Sequence, residues 1–370
     1  MDFAERMSRI PASTIRKLFD QARSVPDAID LSIGQADFDV PEPIREATIA
    51  AIRRGCGGYG PTGGLPELVA RTRAHLESRG MLAGEDEVMI TAGATGGLSL
   101  ALFALVGPGD EVLIPDPHFV LYDRLARLAG ATPVLYDLYP SFELSAQAIA
   151  ARLTSRTRVL ILNSPSNPTG AVFAADRLAE VARLAAARGV FVISDELYDR
   201  FTYDGPHQTI KRAGGAPSLL IGGFSKAFGM AGWRVGFAAG PAELIDAMRT
   251  LQQFLYVCPA TVAQHGALAA FDVDVSDHLT RYRKKRDLIY RGLVSAGYRV
   301  SEPGGSFFIF PEVPWGDDER FTGAAREAGL FVVPGRAFSA RTTHFRISFA
   351  ASDETLARGL EVLAKLRKMG

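Results

Sequence analysis

The sequence predicts an α/β protein with a large domain, built on a mostly parallel seven-stranded sheet covered by helices, and a smaller α/β domain. Three observations lead to this prediction. Seven short apolar runs follow one another between residues 87 and 238. Segments rich in Ala, Leu and Arg, such as Gly97–Leu105 and Asp176–Arg188, lie between several of these runs and are helical in character. The chain of 370 residues is also longer than one simple core usually requires.

The predicted strands of the large domain are continuously apolar and rich in β-branched residues. Continuous apolar strands separated by helices are typical of a parallel sheet that is buried on both faces. The strand candidates are Glu87–Thr91, Glu111–Ile114, Pro133–Tyr136, Val159–Leu162, Val190–Ser194, Ser218–Gly222 and Val235–Ala238.

The pattern changes after about residue 271, where a long charged helical segment precedes short strands and a final helix. The strand candidates in this part are Gly305–Phe310, Leu330–Val333 and Phe345–Phe349. We therefore predict a large domain over residues 36–271 and a small C-terminal domain over residues 272–370. Residues 1–35 are predicted to form an N-terminal arm that packs on the small domain or on a partner.

Composition and charge exclude several classes of protein. Lys+Arg and Asp+Glu both number 41, so no bulk field draws the chain to nucleic acid or to an anionic membrane. The two cysteines, Cys56 and Cys258, are too few for a disulfide framework or a zinc site, and they fit a reducing cytoplasm. No apolar stretch approaches the ~18 residues of a membrane span, and no signal peptide is recognisable.

The chemically informative residues fall where predicted strands end, which is where open α/β sheets bind ligands. The first such place is the turn AGATGG at residues 92–97, which leads into an apolar helix. Its small residues permit close backbone approach, and the start of the helix offers free N–H groups to an anion. A glycine-rich turn that merely reverses the chain is the alternative.

Two further strands end in polar residues. The turn SPSNPTG at residues 164–170 is rigid, compatible with a cis Asn167–Pro168 bond, and presents the Asn167 amide. Asp195 directly follows the apolar run VFVIS. Because a buried carboxylate is costly unless it is paired, we expect Asp195 to meet a cation; a helix N-cap is the alternative.

Lys226 follows the run SLLIGG and lies among Gly, Phe, Met and Trp rather than among charges. A desolvated amine has a lowered pKa and becomes a nucleophile toward an aldehyde. Arg234, eight residues further on, supplies a planar charge suited to phosphate. Together these groups match what pyridoxal phosphate requires: an amine, a carboxylate for its ring nitrogen, donors for its phenolate oxygen, an anion cradle and an apolar cover.

In these residues and the motifs around them, the sequence resembles the fold-type I pyridoxal-phosphate enzymes, and among them the class I/II aminotransferases. The likeness runs from about residue 30 to near the C-terminus. It rests on an ordered set of motifs: Tyr59, AGAT, NPTG, SDELY, SK followed by GWRVG, and FRISFA.

The resemblance implies a role for each matching residue. Lys226, Asp195 and Tyr198 are the implied catalytic residues: Lys226 forms the Schiff base and shuttles the proton, Asp195 pairs with the ring nitrogen, and Tyr198 with Asn167 bonds the phenolate oxygen. The implied phosphate ligands are Ala94, Thr95, Ser225 and Arg234. Phe119 is expected to stack on the cofactor ring, with a core phenylalanine as the alternative.

The same resemblance implies how substrate and partner bind. Arg346 is expected to clamp the α-carboxylate bidentately, beside Gly34 and Asn167. Tyr59 resembles the tyrosine that reaches the phosphate of the neighbouring subunit, which implies a homodimer with sites at the subunit interface. The implied activity is transfer of the amino group of an L-amino acid to a 2-oxo acid.

Two departures from the family pattern bear on the site. A hydroxyl residue commonly stands three positions before the lysine, where this chain has Gly223, with Thr95 and Ser225 available to compensate. A branch that acts on aspartate has a lysine at the position of Thr95, and the loop Gln253–Pro259 also lacks a cation. A neutral, aromatic or sulfur-containing donor is therefore favoured.

Three alternatives are weighed against transamination. A C–S lyase, oxidase or cyclase would share Lys226, Asp195 and Arg346. An effector-binding transcription regulator would need an added DNA-binding domain, and only about 30 residues precede the enzyme-like part. A dinucleotide-binding enzyme is disfavoured because the AGATGG turn lacks the G-x-G-x-x-G spacing.

Overall fold

A computed structural model describes residues 3–4, 7–8, 10 and 12–369 of the chain. Its strands are β1 Ile29–Asp30, β2 Asp86–Thr91, β3 Glu111–Asp116, β4 Thr132–Asp137, β5 Thr157–Asn163, β6 Phe191–Asp195, β7 Ser218–Gly223, β8 Gly236–Pro241, β9 Phe308–Ile309, β10 Leu330–Phe331, β11 Val333–Pro334 and β12 Phe345–Ser348.

The α-helices connect and cover these strands. They are α1 Thr14–Ala22, α2 Glu42–Arg53, α3 Pro66–Ser78, α4 Gly93–Leu105, α5 Leu121–Leu128, α6 Ala146–Ala150, α7 Ala175–Arg188, α8 Ile210–Ala213, α9 Ala242–Leu255, α10 Thr261–Ala269, α11 Ser276–Ser295, α12 Asp318–Glu327 and α13 Asp353–Arg367.

The seven-stranded sheet has the order β2-β8-β7-β6-β5-β3-β4. Its strands pair in parallel except β8, which runs antiparallel to both β2 and β7. The predicted fold class and all seven predicted strands are confirmed. Because β5, β6 and β7 are parallel neighbours, the residues that follow them meet at one edge of the sheet.

Both faces of the sheet are covered, which explains the continuously apolar strands. On β5, Val159 and Ile161 pack with α4, α5 and α9 on one face, while Leu160 and Leu162 pack with α6 and α7 on the other. Alternate residues of a strand point to opposite faces, so a strand buried on both sides must be apolar at every position.

The small lobe contains two short sheets packed on α11 and α13. In one, β9 and β11 flank β12; in the other, β1 pairs with β10. The sequence predicted a single strand over Leu330–Val333. That prediction was wrong in detail, because β10 and β11 belong to different sheets and the chain changes partner between Phe331 and Val333. Strand β1 was not predicted, since two residues are too short to carry a pattern.

The N-terminal arm contacts the small lobe through α1. Leu18 of α1 packs with Phe310, Val333 and Phe338, and also with Phe142 of the large lobe. The predicted bounds of arm and domains stay predictions, and residues 1–2, 5–6, 9 and 11 of the arm lie outside the described residues. Among the residues that are described, no helix is long and apolar enough to cross a bilayer.

Candidate active site

A cavity of about 220 Å³ lies at the ends of β5, β6 and β7, between the two lobes. Strands β5 and β6 supply Asn163 and Asp195, and the segment after β7 supplies Lys226. The small lobe supplies Arg346, and α1 supplies Ile15. Every predicted site residue except Tyr59 lines this cavity. They are Gly34, Ala94, Thr95, Phe119, Asn167, Asp195, Tyr198, Ser225, Lys226, Arg234 and Arg346.

Asp195, at the end of β6, is a buried carboxylate held by hydrogen bonds. Its Oδ2 accepts from the Tyr122 hydroxyl at 2.7 Å, and its Oδ1 accepts from the Leu197 N–H at 3.2 Å. Burial nevertheless raises the pKa of this carboxyl to about 6, because desolvation outweighs both bonds. Of the described residues none forms an ion pair with Asp195, although the positive charge of Lys226 favours its ionised form.

Asn163 fixes the neighbouring turn against Asp195. The two are register partners on β5 and β6, and the Asn163 amide donates to the Asp195 carbonyl at 3.0 Å. The Asn163 Oδ1 accepts from the Asn167 N–H at 2.9 Å. The Asn167–Pro168 bond is cis. Burial raises the pKa of the Tyr198 hydroxyl, and the Asn167 side chain beside it opposes that shift.

Lys226 follows β7 and lies between the two lobes. Its Nζ donates to the Gly34 carbonyl at 2.6 Å and lies 5.8 Å from the centre of the Tyr198 ring. Burial, reinforced by the charges of Arg346 and Arg234, lowers the pKa of this amine to about 8. A substantial neutral fraction is therefore present just above neutral pH, as a nucleophilic amine requires.

An anion cradle lies at the start of α4. A Cβ on Gly93 would come within 2.5 Å of the Arg234 guanidinium, so that group lies directly against the first turn of the helix. Gly93 has a φ of 72°, which glycine adopts without strain. The free N–H groups of the helix start and the Arg234 charge thus face the same space, beside Thr95 and Ser225.

The structure gives a steric reason for Gly223. A Cβ at this position would lie 3.2 Å from the Gly236 Cα, 3.3 Å from the Leu197 Cδ1 and 3.4 Å from the Val235 carbonyl oxygen. Strand β8 therefore comes too close for a hydroxyl side chain without some displacement. Thr95 and Ser225 line the cavity as the remaining hydroxyls on the cradle side.

Arg346, on β12, is buried with two acceptors and two aromatic rings around it. One guanidinium nitrogen donates to Asn167 Oδ1 at 3.0 Å, and another donates to the Ser32 carbonyl. The Phe308 and Phe338 ring centres lie 4.4 and 4.7 Å from its Cζ. Burial lowers the pKa of Arg346 to about 9, which still leaves it charged at neutral pH, and its buried Nε has no partner among the described residues.

Tyr122 and Asn163 were missed by the sequence analysis. Tyr122 lies three residues after Phe119 at the start of α5, and the two rings meet edge to face at 5.8 Å. Nothing local distinguishes this tyrosine from a core residue. Asn163 directly ends an apolar strand, so the criterion that selected Asp195 would have found it.

Tyr59 lies away from the cavity of its own chain and is 88% exposed. Its predicted role toward the neighbouring subunit stays a prediction. Among the described residues no group of His, Cys, Asp and Glu could hold a metal ion.

Comparisons with known proteins agree with this geometry. The profile of the aminotransferase class I and II family matches residues 26–363. The probable aspartate aminotransferase of Methanocaldococcus jannaschii is 35% identical, over 98% of this chain and 99% of that protein. Aromatic-amino-acid aminotransferase 2 of Thermococcus litoralis is 34% identical, over 100% and 99%.

A solved structure of a relative has the same fold. The aspartate aminotransferase from Thermus thermophilus with maleate superposes with a TM-score of 0.94 at 33% identity, covering 99% of this chain and 100% of that one. The chain therefore belongs to the class I and II aminotransferase family, and it is an enzyme that transfers amino groups.

Proposed function

We propose that the cavity binds pyridoxal 5'-phosphate, and that the enzyme uses it to exchange the amino group of an L-amino acid with a 2-oxo acid. One observation carries the proposal. A buried amine, Lys226, and a buried carboxylate, Asp195, line the same cavity, with Arg234 on the cradle side and Arg346 in the small lobe.

The donor set fits this cofactor. Burial raises the pKa of Asp195, and a protonated ring nitrogen beside this carboxylate would stabilise both charges. Asn167 and Tyr198 offer polar groups for the phenolate oxygen, and the start of α4 with Arg234 offers donors for the phosphate. When bound, pyridoxal phosphate supplies an aldehyde for amine exchange and a ring that withdraws electrons.

Lys226 acts as nucleophile and as proton carrier. With a pKa lowered to about 8, its Nζ can lose a proton to become nucleophilic and can later accept one from the substrate α-carbon. Asp195 keeps a negative charge fixed in a low-dielectric site, where its electrostatic interactions are stronger than in water.

Arg346 orients the substrate. Its planar fork suits a carboxylate, and Asn167 and Phe308 hold the fork in place. A carboxylate bound there places the α-carbon of the substrate toward Lys226, which replaces a random encounter by a fixed geometry.

A neutral donor fits this chain better than an acidic one. Among the described residues that line the cavity, the positively charged ones are Lys226, Arg234 and Arg346, and each already has a role. The remaining wall includes the apolar side chains of Ile15, Leu98, Leu121 and Phe119.

A second copy of the chain completes the site in this proposal. Large apolar side chains are exposed on α2, α4, the end of α9 and the segment after it, and on the Tyr59 loop, which is tied to α10 because the Thr261 hydroxyl donates to the Gly58 carbonyl at 2.9 Å. The exposed residues are Ile49, Ile52, Tyr59, Phe103, Phe254, Leu255, Tyr256 and Val257. Burial of such a surface favours association. Sedimentation equilibrium tests it, and a fully active monomer would refute it.

The activity is tested by adding single amino acids to the purified enzyme loaded with pyridoxal phosphate. We expect phenylalanine or methionine to convert the cofactor to its amine form faster than aspartate does, with one 2-oxo acid released per cofactor. Lys226→Ala should abolish this conversion, whereas the exposed Lys284→Ala should not. A panel in which no amino acid reacts would contradict transamination.

The same preparation distinguishes a lyase. Cystathionine or a cysteine conjugate is supplied without any 2-oxo acid, and pyruvate is measured. Continuous pyruvate release would show that the enzyme catalyses β-elimination and not the proposed transamination.

A further inference from the structure

A segment without regular secondary structure, residues 32–40, crosses between the lobes beside Lys226. We call it the strap. Before it, the Leu31 N–H donates to the Phe331 carbonyl at 2.9 Å, which anchors the chain to the small lobe. After it, α2 packs against α10. The strap therefore links the two bodies whose residues meet in the cavity.

The strap backbone accepts hydrogen bonds from two side chains with proposed roles in the reaction, Lys226 and Arg346. The Gly34 carbonyl accepts from Lys226, and the Ser32 carbonyl accepts from Arg346. A Cβ on Gly34 would lie 3.0 Å from the Phe308 ring, so the strap passes close to the aromatic wall that supports Arg346. Displacement of the strap would change the surroundings of both groups.

Asp37 ties the strap to α11. The Tyr282 hydroxyl donates to Asp37 Oδ1 at 2.6 Å and accepts from the Asp37 N–H at 3.1 Å. Lys285 forms an ion pair with the other carboxylate oxygen, Oδ2. Tyr282 and Lys285 are three residues apart and share one face of α11, so a single side chain bridges two helix residues.

The neighbouring residue is held on the same helix face. Phe38 stacks on His278 with ring centres 3.9 Å apart. On the other side, a Cβ on Gly229 would lie 2.9 Å from the Phe38 carbonyl oxygen, so the strap fits closely against the turn that follows Lys226. Tyr282 itself is buried, with the Phe307 ring 5.7 Å away.

We propose that Asp37 is a positioning residue for the reaction. Through Tyr282 and Lys285 it holds the strap so that the Gly34 backbone stays beside Lys226 and the carboxylate site at Arg346. The proposal rests on the roles assigned above to Lys226 and Arg346. It places the effect of Asp37 on carboxylate binding and not on phosphate binding, because the start of α4 and Arg234 form no hydrogen bond with the strap among the described residues.

The test compares Asp37→Asn and Tyr282→Phe with the wild-type holoenzyme. We expect KM for both the amino acid and the 2-oxo acid to rise roughly 10-fold, the size expected when a hydrogen bond to a charged group is lost. The kcat and the affinity for pyridoxal phosphate should stay within about twofold. Amide hydrogen exchange should accelerate in residues 32–40.

Matched variants separate positioning from general stability. Lys285→Met should raise KM, Lys285→Arg should restore most of the loss, and Lys284→Met, exposed on the same helix, should have no effect. The double variant of Asp37 and Tyr282 should cost less than the sum of the two single variants, since the Tyr282–Asp37 hydrogen bond is shared by both. The proposal is overturned if Asp37→Asn lowers the melting temperature while both KM values stay unchanged. It is also overturned if the affinity for pyridoxal phosphate falls together with the affinity for the substrates.

Binding of 3-phenylpropionate, which has a carboxylate but no amino group, measures the effect of the strap on carboxylate affinity without turnover. Calorimetry on the holoenzyme should show roughly 10-fold weaker binding by Asp37→Asn. Equal binding by wild type and variant would refute the positioning role, even for an enzyme that fails to transaminate. Failure of transamination with weakened binding would refute only the proposed reaction.

Discussion

The two ends of the cavity are built from different kinds of contact. At the end formed by the large sheet, Asp195 and Asn163 are register partners on neighbouring strands, held by the backbone ladder. At the other end, Arg346 and Gly34 come from separate segments of chain, and they are held by hydrogen bonds and ring contacts that cross between the strap, α11 and β12.

This difference predicts two kinds of mutational effect. The sheet end is rigid because many strand contacts support each residue, so changes there should alter the chemistry more than the binding. The strap end depends on a few side chains, so changes there should alter substrate affinity. A measured split between kcat and KM tests the comparison directly.

Asp195→Asn should have the largest effect. The substitution keeps the shape but removes the charge, and we expect kcat to fall about 100- to 1000-fold with little change in KM, a loss typical of removing one electrostatic contact at a reacting centre. Steady-state kinetics measures it, with the exposed Asp176→Asn as control. A kcat within tenfold of wild type would break the assignment of the sheet end.

Arg346→Lys should act at the strap end. An ammonium cannot form the planar fork and leaves Asn167 Oδ1 or the Ser32 carbonyl unpaired, so KM should rise about 30-fold while kcat changes far less. Initial rates over a range of both substrates give the split. Arg183→Lys, on the exposed side of α7, should behave as wild type; an equal fall in kcat would show that the ends are not separable.

Tyr122→Phe should have a smaller effect, on the sheet side. The loss of one hydrogen bond to Asp195 is expected to lower kcat about fivefold. Because that bond lowers the pKa of Asp195, its removal raises the pKa, and the acid limb of the kcat profile should move to higher pH. A profile that shifts to lower pH, or not at all, would contradict the role of Tyr122.

The smallest of the expected effects concerns the titration of the Lys226 amine. Burial and two nearby arginines lower its pKa to about 8, so the amine is charged and unreactive below that pH and neutral above it. Competitive labelling of the cofactor-free protein with acetic anhydride should give an inflection near 8, with Lys284 as internal reference. Arg346→Met should move the inflection upward, because one of the two positive charges is removed.

Most of the large domain was predictable because its information is local. Each strand is a continuous apolar run, and the residues that follow β5, β6 and β7 carry the polar groups. Once the strands are parallel neighbours, Asn167, Asp195 and Lys226 must come together at one edge. Their positions relative to the strands were therefore enough to predict that these residues lie together.

The strap end could not be derived in this way. Asp37 and Tyr282 are separated by 245 residues, and neither belongs to a motif that indicates a contact. Strand β1 has two residues, and β10 and β11 share one apolar run. Short elements carry no periodicity, so only packing against other segments decides where they pair.

The sequence alone predicted the fold class and the seven strands of the large sheet, and motif resemblance predicted the cavity residues Lys226, Asp195, Asn167 and Arg346 but not Asn163 or Tyr122. Only the folded protein shows that Tyr122 donates to Asp195, that Gly223 leaves room for β8, and that Asp37 ties the strap to α11. The physical reason is the range of the contacts. Strand pattern and strand-end chemistry lie within a few neighbouring residues, whereas these three contacts join segments that only folding brings together.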